Sequence, residues 1–190
     1  MTKGKIVIIS GPSGSGKTTL QKKLLLSKKL KNKLVKSISA TTRPPRIGEK
    51  DGCDYLFMSP NEFLFKKKKG HFLEWQKVFE NYYGTPKKVV EQLLKTGKNV
   101  LLCIDVKGAK VVSHQYPQAI KIFVKVPSLT QLKNRLLVRG TESKTNLKLR
   151  LETARSEMRE ARHYDHIIIN DDLFRAFKKL EALVLKTLNE

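Results

Sequence analysis

Cysteine and tryptophan are scarce, and acidic residues run far short of basic ones. The two cysteines, Cys53 and Cys103, lie far apart and lack metal-ligand spacing. That argues against a disulfide framework or a cysteine-based zinc site and leaves two free thiols, as expected in a reducing cytoplasm. No apolar run approaches the ~20 residues of a membrane span. The first apolar stretch breaks at Ser10-Gly11, too early for a signal peptide. Only 17 acidic residues stand against 39 basic ones, giving a formal charge of +22 over 190 residues. The lysines are scattered, with short runs at Lys66 to Lys69 and Lys178-Lys179, and no aromatic residues interleave with them as a stacking platform. This composition reads as a solvated lysine-rich surface with no specific nucleic-acid partner, one that speeds capture of small anions. Hydrophobic residues at 39% suffice for a single globular domain with a real core.

What is present begins at residues 11–18, which read GPSGSGKT. Gly11, Gly16, Lys17 and Thr18 fit the spacing G-x-x-x-x-G-K-[ST]. Glycines let the backbone curl so that several N–H groups face one anion, lysine reaches the outer phosphates, and the Thr18 hydroxyl can ligate Mg2+. The continuous apolar run Ile6-Val7-Ile8-Ile9 precedes the loop, as in a strand buried on both faces. Leu20, Leu24 and Leu25 follow at helical spacing. Strand, loop and helix together set the loop at a positive helix N-terminus, a site for a nucleoside triphosphate.

Further along, apolar runs at 99–105, 119–126 and 166–170 read as strands, and 86–96, 128–139, 145–162 and 173–188 as helices. The alternation predicts an α/β fold with a parallel sheet. Residues 36–85 break it. Rich in Gly, Pro, Arg and aromatics, they read as an inserted small β-rich unit.

A triphosphate site alone serves a GTPase, an ATPase or a kinase, and the insert discriminates among them. Arg43 and Arg46 lie three apart in a proline-stiffened segment, and planar guanidinium forks grip a phosphate dianion through parallel hydrogen bonds. Tyr55, Tyr83 and Thr85 each offer a further hydroxyl. A second phosphate site on a small α/β chain suggests transfer between two nucleotides. Glu74, set in Phe72-Leu-Glu74-Trp75, is either a surface acid or a recognition acid. An ionised carboxylate accepts only, so it suits the N1–H and N2–H2 donors of guanine and rejects adenine. Asp105 offers a second acceptor. Arg135 and Arg139 share a helix face, and Arg150 follows a Gly-Thr-Glu-Ser turn. The four histidines, His71, His114, His163 and His166, receive no catalytic role.

These residues carry a resemblance to the guanylate kinase family that runs nearly end to end. GPSGSGKT, SATTRPPRIGE, GCDY, FLEW, NYYGTP, IDVKGA, RGTES and IINDDL stand in the family's order at close to its spacing. The resemblance implies a P-loop NTPase core at 1–36, 86–127 and 164–190, a GMP-binding insert at 37–85 and a small helical lid at 128–163. It implies that Gly11, Pro12, Ser13, Gly14, Ser15, Gly16, Lys17, Thr18 and Thr19 hold ATP, with Asn170 at the adenine end. Ser39, Arg43, Arg46, Tyr55, Glu74, Tyr83, Gly84, Thr85 and Asp105 would hold GMP: the arginines and the two tyrosines on its phosphate, and Ser39, Glu74, Thr85 and Asp105 on guanine. Lys17, Arg43 and the lid arginines Arg135, Arg139 and Arg150 would stabilise the moving phosphoryl group, with Mg2+ bound beside ATP at Thr18. Three positions depart from the family pattern. Cys103 stands where a second acid is usual, Phe79-Glu80 replaces His-Gly, and Lys107 replaces Gln. Non-catalytic relatives of this family tend to have degraded phosphate loops, whereas Lys17 and Thr18 are intact here.

Overall fold

The computed structural model describes residues 3–78, 80–138 and 144–189. Strand β1 (Ile6–Ser10) is buried along its whole length. After it come α1 (Lys17–Leu26) and β2 (Leu34–Lys36). The chain then leaves the main sheet for β3 (Ala40–Thr41), β4 (Leu56–Phe57), α2 (Pro60–Lys68), β5 (Phe72–Val78) and β6 (Asn81–Pro86). It returns through α3 (Lys87–Lys95), β7 (Asn99–Cys103), α4 (Val106–Gln115) and β8 (Ile120–Lys125). The last elements are α5 (Leu129–Val138), α6 (Lys144–Arg159), a short 3-10 helix over Glu160–His163, β9 (His166–Ile169) and α7 (Leu173–Asn189).

The main sheet has five strands in the order β2-β7-β1-β8-β9, paired in parallel throughout. Side chains alternate across a strand, so β1 feeds two cores. Val7 and Ile9 pack with Leu20 and Leu24 of α1 and with Ala176, Leu180 and Val184 of α7. Ile6 and Ile8 pack with Val90 and Leu94 of α3 and with Ala109 and Val112 of α4. Burial on both faces explains why β1 carries no polar residue before Ser10. A smaller cluster of Val126, Leu132, Leu136 and Ala154 joins α5 to α6.

The second sheet runs β4-β3-β6-β5, with the β3–β6 and β6–β5 pairs antiparallel. Besides strands, this unit holds α2, which the reading of the insert as β-rich did not include. Ser59 caps α2 by accepting from Glu62 N, and Pro60 opens its first turn. Fully buried Phe63 anchors it, with ring centroids 4.4 Å from Phe72 and 5.3 Å from Tyr82. The helix read over 145–162 ends at Arg159 and tightens into the 3-10 helix. Lys67 lies 3.5 Å from the Trp75 ring centroid, so one lysine of the Lys66 to Lys69 run meets an aromatic in space rather than in sequence. Among the described residues no helix is long and apolar enough to cross a membrane.

Candidate functional site

The carboxyl ends of β1, β2 and β7 open on one cavity of about 330 Å³ that the second sheet closes from the other side. In α/β sheets ligands bind at such carboxyl ends, where the strand order reverses. The glycine loop forms one wall. Gly11 and Gly16 stand at φ of 137° and 91°, which other residues rarely adopt. Gly11 packs against the Val124 carbonyl and Gly16 against the Asn170 amide, where a Cβ would collide. Lys17 Nζ donates to the carbonyls of Gly11 at 2.5 Å and Pro12 at 2.9 Å, which holds it across the loop. The N-terminus of α1 faces the same cavity, with exposed Thr18 in its first turn.

The predicted loop residues divide by role. Ser13, Gly14, Lys17 and Thr18 line the cavity. Ser15 is buried, and its carbonyl accepts from Asn170 Nδ2 at 2.7 Å. Thr19 is exposed on α1 and, like Pro12, is not part of the lining. Asn170 is also buried, and its carbonyl accepts from Arg135 Nη2 at 2.7 Å. Asn170 and Arg135 therefore brace the loop from behind. Arg150 lines the cavity, while Arg139 lies outside the described residues.

Across the cavity stand the insert residues Ser39, Arg43, Arg46, Tyr55, Glu74 and Tyr83, with Gly84 beside them. Arg43 Nη2 donates to both carboxylate oxygens of Glu49, at 3.0 and 2.8 Å, and Arg46 N donates to Glu49 Oε2 at 2.9 Å. Burial works against the Arg43 charge, but the hydrogen bond and charge of Glu49, together with Tyr83, outweigh it and hold the guanidinium protonated. Burial also pushes the Glu49 carboxyl up, but the Arg46 N–H and the Arg43 fork together hold it below its usual range. The Arg43 guanidinium lies 5.5 Å from the Tyr55 ring centroid. Burial drives the Tyr55 hydroxyl to about 12, so it stays a proton donor.

Glu74 is 6% exposed and accepts from Thr85 Oγ1 at 2.6 Å. Burial raises its carboxyl to about 7 against the Thr85 bond, and the Asp105 charge adds to the rise. Thr85, fully buried, reaches the cavity through Glu74. Asp105 caps α4, its Oδ1 accepting from Gly108 N at 2.7 Å. Cys103 also lines the cavity, and burial keeps its thiol protonated against the pull of Lys17 and Lys36.

Several cavity residues escaped the sequence reading, among them Glu49, Lys36 and Glu157. Glu49 closes the SATTRPPRIGE motif and Lys36 stands three residues before it, but both look like surface charges in one dimension. Glu157 of α6 lines the cavity and accepts from the Ser13 N–H. Burial raises its carboxyl to about 7, with Lys17 opposing the rise and Asp105 adding to it. Arg150 and Glu157 are seven apart, two helical turns, and that spacing was the available signal.

The guanylate kinase family profile matches residues 3–187. A guanylate kinase of Rickettsia felis is 44% identical over 183 residues, covering 96% of this chain and 94% of its own. One from Caldanaerobacter subterraneus subsp. tengcongensis is 43% identical over 182 residues, covering 96% and 87%. The crystal structure of guanylate kinase from Anaplasma phagocytophilum superposes with a TM-score of 0.79 at 32% identity, covering 97% of this chain and 86% of that one. With a family profile over residues 3–187 and relatives above 40% identical along nearly the whole chain, the chain belongs to the guanylate kinase family.

Proposed function

We propose that the chain transfers the γ-phosphoryl group of ATP to GMP, and also to dGMP, releasing ADP and the nucleoside diphosphate. The observation that carries this reading is a single cavity with a phosphate loop on one wall and a buried carboxylate with paired arginines on the other. On this reading Lys17 exchanges its two loop carbonyls for phosphate oxygens. Glu74 and Asp105 accept from the guanine N–H groups, and Ser39 and Thr85 complete the base pocket. Arg43, Arg46, Tyr55 and Tyr83 hold the acceptor phosphate. The attacking atom is an oxygen of that phosphate, already anionic, so no protein nucleophile or strong base is needed. The protein contributes alignment and positive charge, with Arg150 lining the cavity and Arg135 and Arg139 assigned to the same task by the family resemblance.

Among the described residues no group of three or more His, Cys, Asp or Glu is placed to hold a metal ion. Thr18 in the first turn of α1, with a neutral thiol at Cys103, fits Mg2+ carried on the nucleotide phosphates and completed by water rather than a protein cage. Bound in that way, Mg2+ neutralises charge on the triphosphate. On the same reading, closure of α6 over the insert keeps water from the reacting group. The same reading places the work in the cytoplasm, on free nucleotides.

The test is transfer of γ-labelled phosphate from ATP to GMP. Label in GDP, with little release when GMP is omitted, supports the proposal. Label released mainly as inorganic phosphate would refute it.

A further inference from the structure

The insert is joined covalently to the core only beyond Lys36 and before Lys87, yet core side chains grip it at a third place. Lys36, the last residue of β2, donates from Nζ to the backbone carbonyls of Cys53 at 2.7 Å and Asp54 at 2.9 Å. Lys22, on the second turn of the phosphate-loop helix α1, pairs with Asp54 Oδ1 at 2.8 Å. The other carboxylate oxygen, Oδ2, accepts from Lys50 N at 3.1 Å, which fixes it within the insert. The gripped turn is 17 and 18 residues from the nearer joint, so the chain connection alone does not fix its position.

The turn leads straight into the acceptor site. Tyr55 follows Asp54, and its ring lies 5.5 Å from the Arg43 guanidinium and 6.1 Å from the Tyr83 ring. Gly52 N donates to the Tyr55 carbonyl at 2.9 Å, so residues 52–55 form one rigid turn. Where that turn sits against the core decides how far the Tyr55 hydroxyl and the Arg43 fork stand from Lys17. The two contacts differ in weight. Lys22 is 58% exposed along its side chain, and an exposed ion pair is weak alone. The Lys36 ammonium is half-buried and makes two charge-assisted bonds, which are stronger. The insert has its own aromatic core of Phe63, Phe72 and Tyr82, so releasing the grip would move the insert as a unit rather than unfold it.

We propose that Lys36, seconded by Lys22, latches the acceptor-binding insert to the core through Cys53 and Asp54 and is a positioning residue for the acceptor phosphate. The role in turnover rests on GMP being the acceptor; the latch itself does not. In steady-state kinetics, Lys36→Met raises the KM for GMP about tenfold, as expected for loss of charge-assisted bonds, and leaves the KM for ATP within about twofold. Lys22→Gln raises the KM for GMP about two- to threefold, and Lys36→Arg recovers most of the loss. If Lys36→Met fails to fold, Lys36→Gln, which also removes the charge, reports on the Lys36 contact, while Asp54→Asn leaves those backbone bonds in place and reports on the Lys22 pair alone.

Hydrogen exchange on nucleotide-free protein reads the latch without any acceptor. The latch predicts that Lys36→Met speeds exchange at Gly52 and Leu56 about tenfold and leaves the β5–β6 amides unchanged. Unchanged exchange at Gly52 and Leu56 overturns the latch, even if GMP turnover is normal. Equal rises in both KM values, or no change in the KM for GMP, overturn the positioning role. Faster exchange in a protein whose wild type does not phosphorylate GMP upholds the latch and defeats the functional reading instead.

Discussion

Gly108 makes room for Glu74: a Cβ at position 108 would stand 2.5 Å from Glu74 Oε2. The first turn of α4 thus backs the buried carboxylate, and Asp105, which caps that turn, stands beside it. Gly108→Ala therefore pushes Glu74 off its bond to Thr85. The expected result is a KM for GMP raised by about tenfold or more, the scale of a displaced buried hydrogen bond, with the KM for ATP unchanged. Steady-state kinetics with each substrate varied in turn check this.

Glu74 also sets a pH signature on stability. Its folded carboxyl holds a proton up to about 7, whereas an unfolded one releases it near 4.5. Between those values the folded state binds more protons than the unfolded state, so this group's contribution to stability falls as pH rises. Glu74→Gln removes that loss. The variant therefore gains stability relative to wild type from pH 5 to pH 8, by on the order of 2–3 kcal/mol. Denaturant melts of both proteins across that range give the difference directly, and a flat difference would mean the carboxyl is not held neutral in the fold.

Arg43 and Glu49 make the third test. Arg43→Lys keeps the charge but loses the planar fork that meets both Glu49 oxygens and, on our reading, the acceptor phosphate. A loss of about 100-fold in kcat/KM for GMP is expected. Glu49→Gln leaves the guanidinium in place but unanchored, so its loss should be smaller and confined to KM.

Much of the fold was legible because its signals are local. The unbroken apolar run of β1 announces a strand covered on both faces, and the face of α7 bearing Phe177, Leu180 and Val184 recurs at helical spacing. Helix α2 was harder to see, because it buries only Phe63 and ends in a lysine run that looks like a solvated loop. Its Ser59-Pro60-Asn61-Glu62 cap was the readable sign. The motif residues of the two phosphate walls were nameable, but their partners were not. The pairing of Arg43 with Glu49, the reach of Glu157 from α6 to Ser13 and the grip of Lys36 on Cys53 and Asp54 all depend on tertiary placement. Asn170 shows the converse. A residue assigned by resemblance to the adenine end has its side-chain amide bonded beneath the phosphate loop.

One cavity joins the glycine loop to a buried carboxylate that, on our reading, recognises guanine. The most direct measurement is the ratio of kcat/KM for GMP to that for AMP, with ATP and Mg2+ saturating and Lys17→Ala run beside the wild type. A preference for GMP of about 10^4 is expected, the scale at which a buried acceptor rejects a mismatched base. In the variant, turnover is expected to fall by at least about 100-fold. Comparable rates with GMP and AMP, or GMP turnover that survives Lys17→Ala, would contradict that reading.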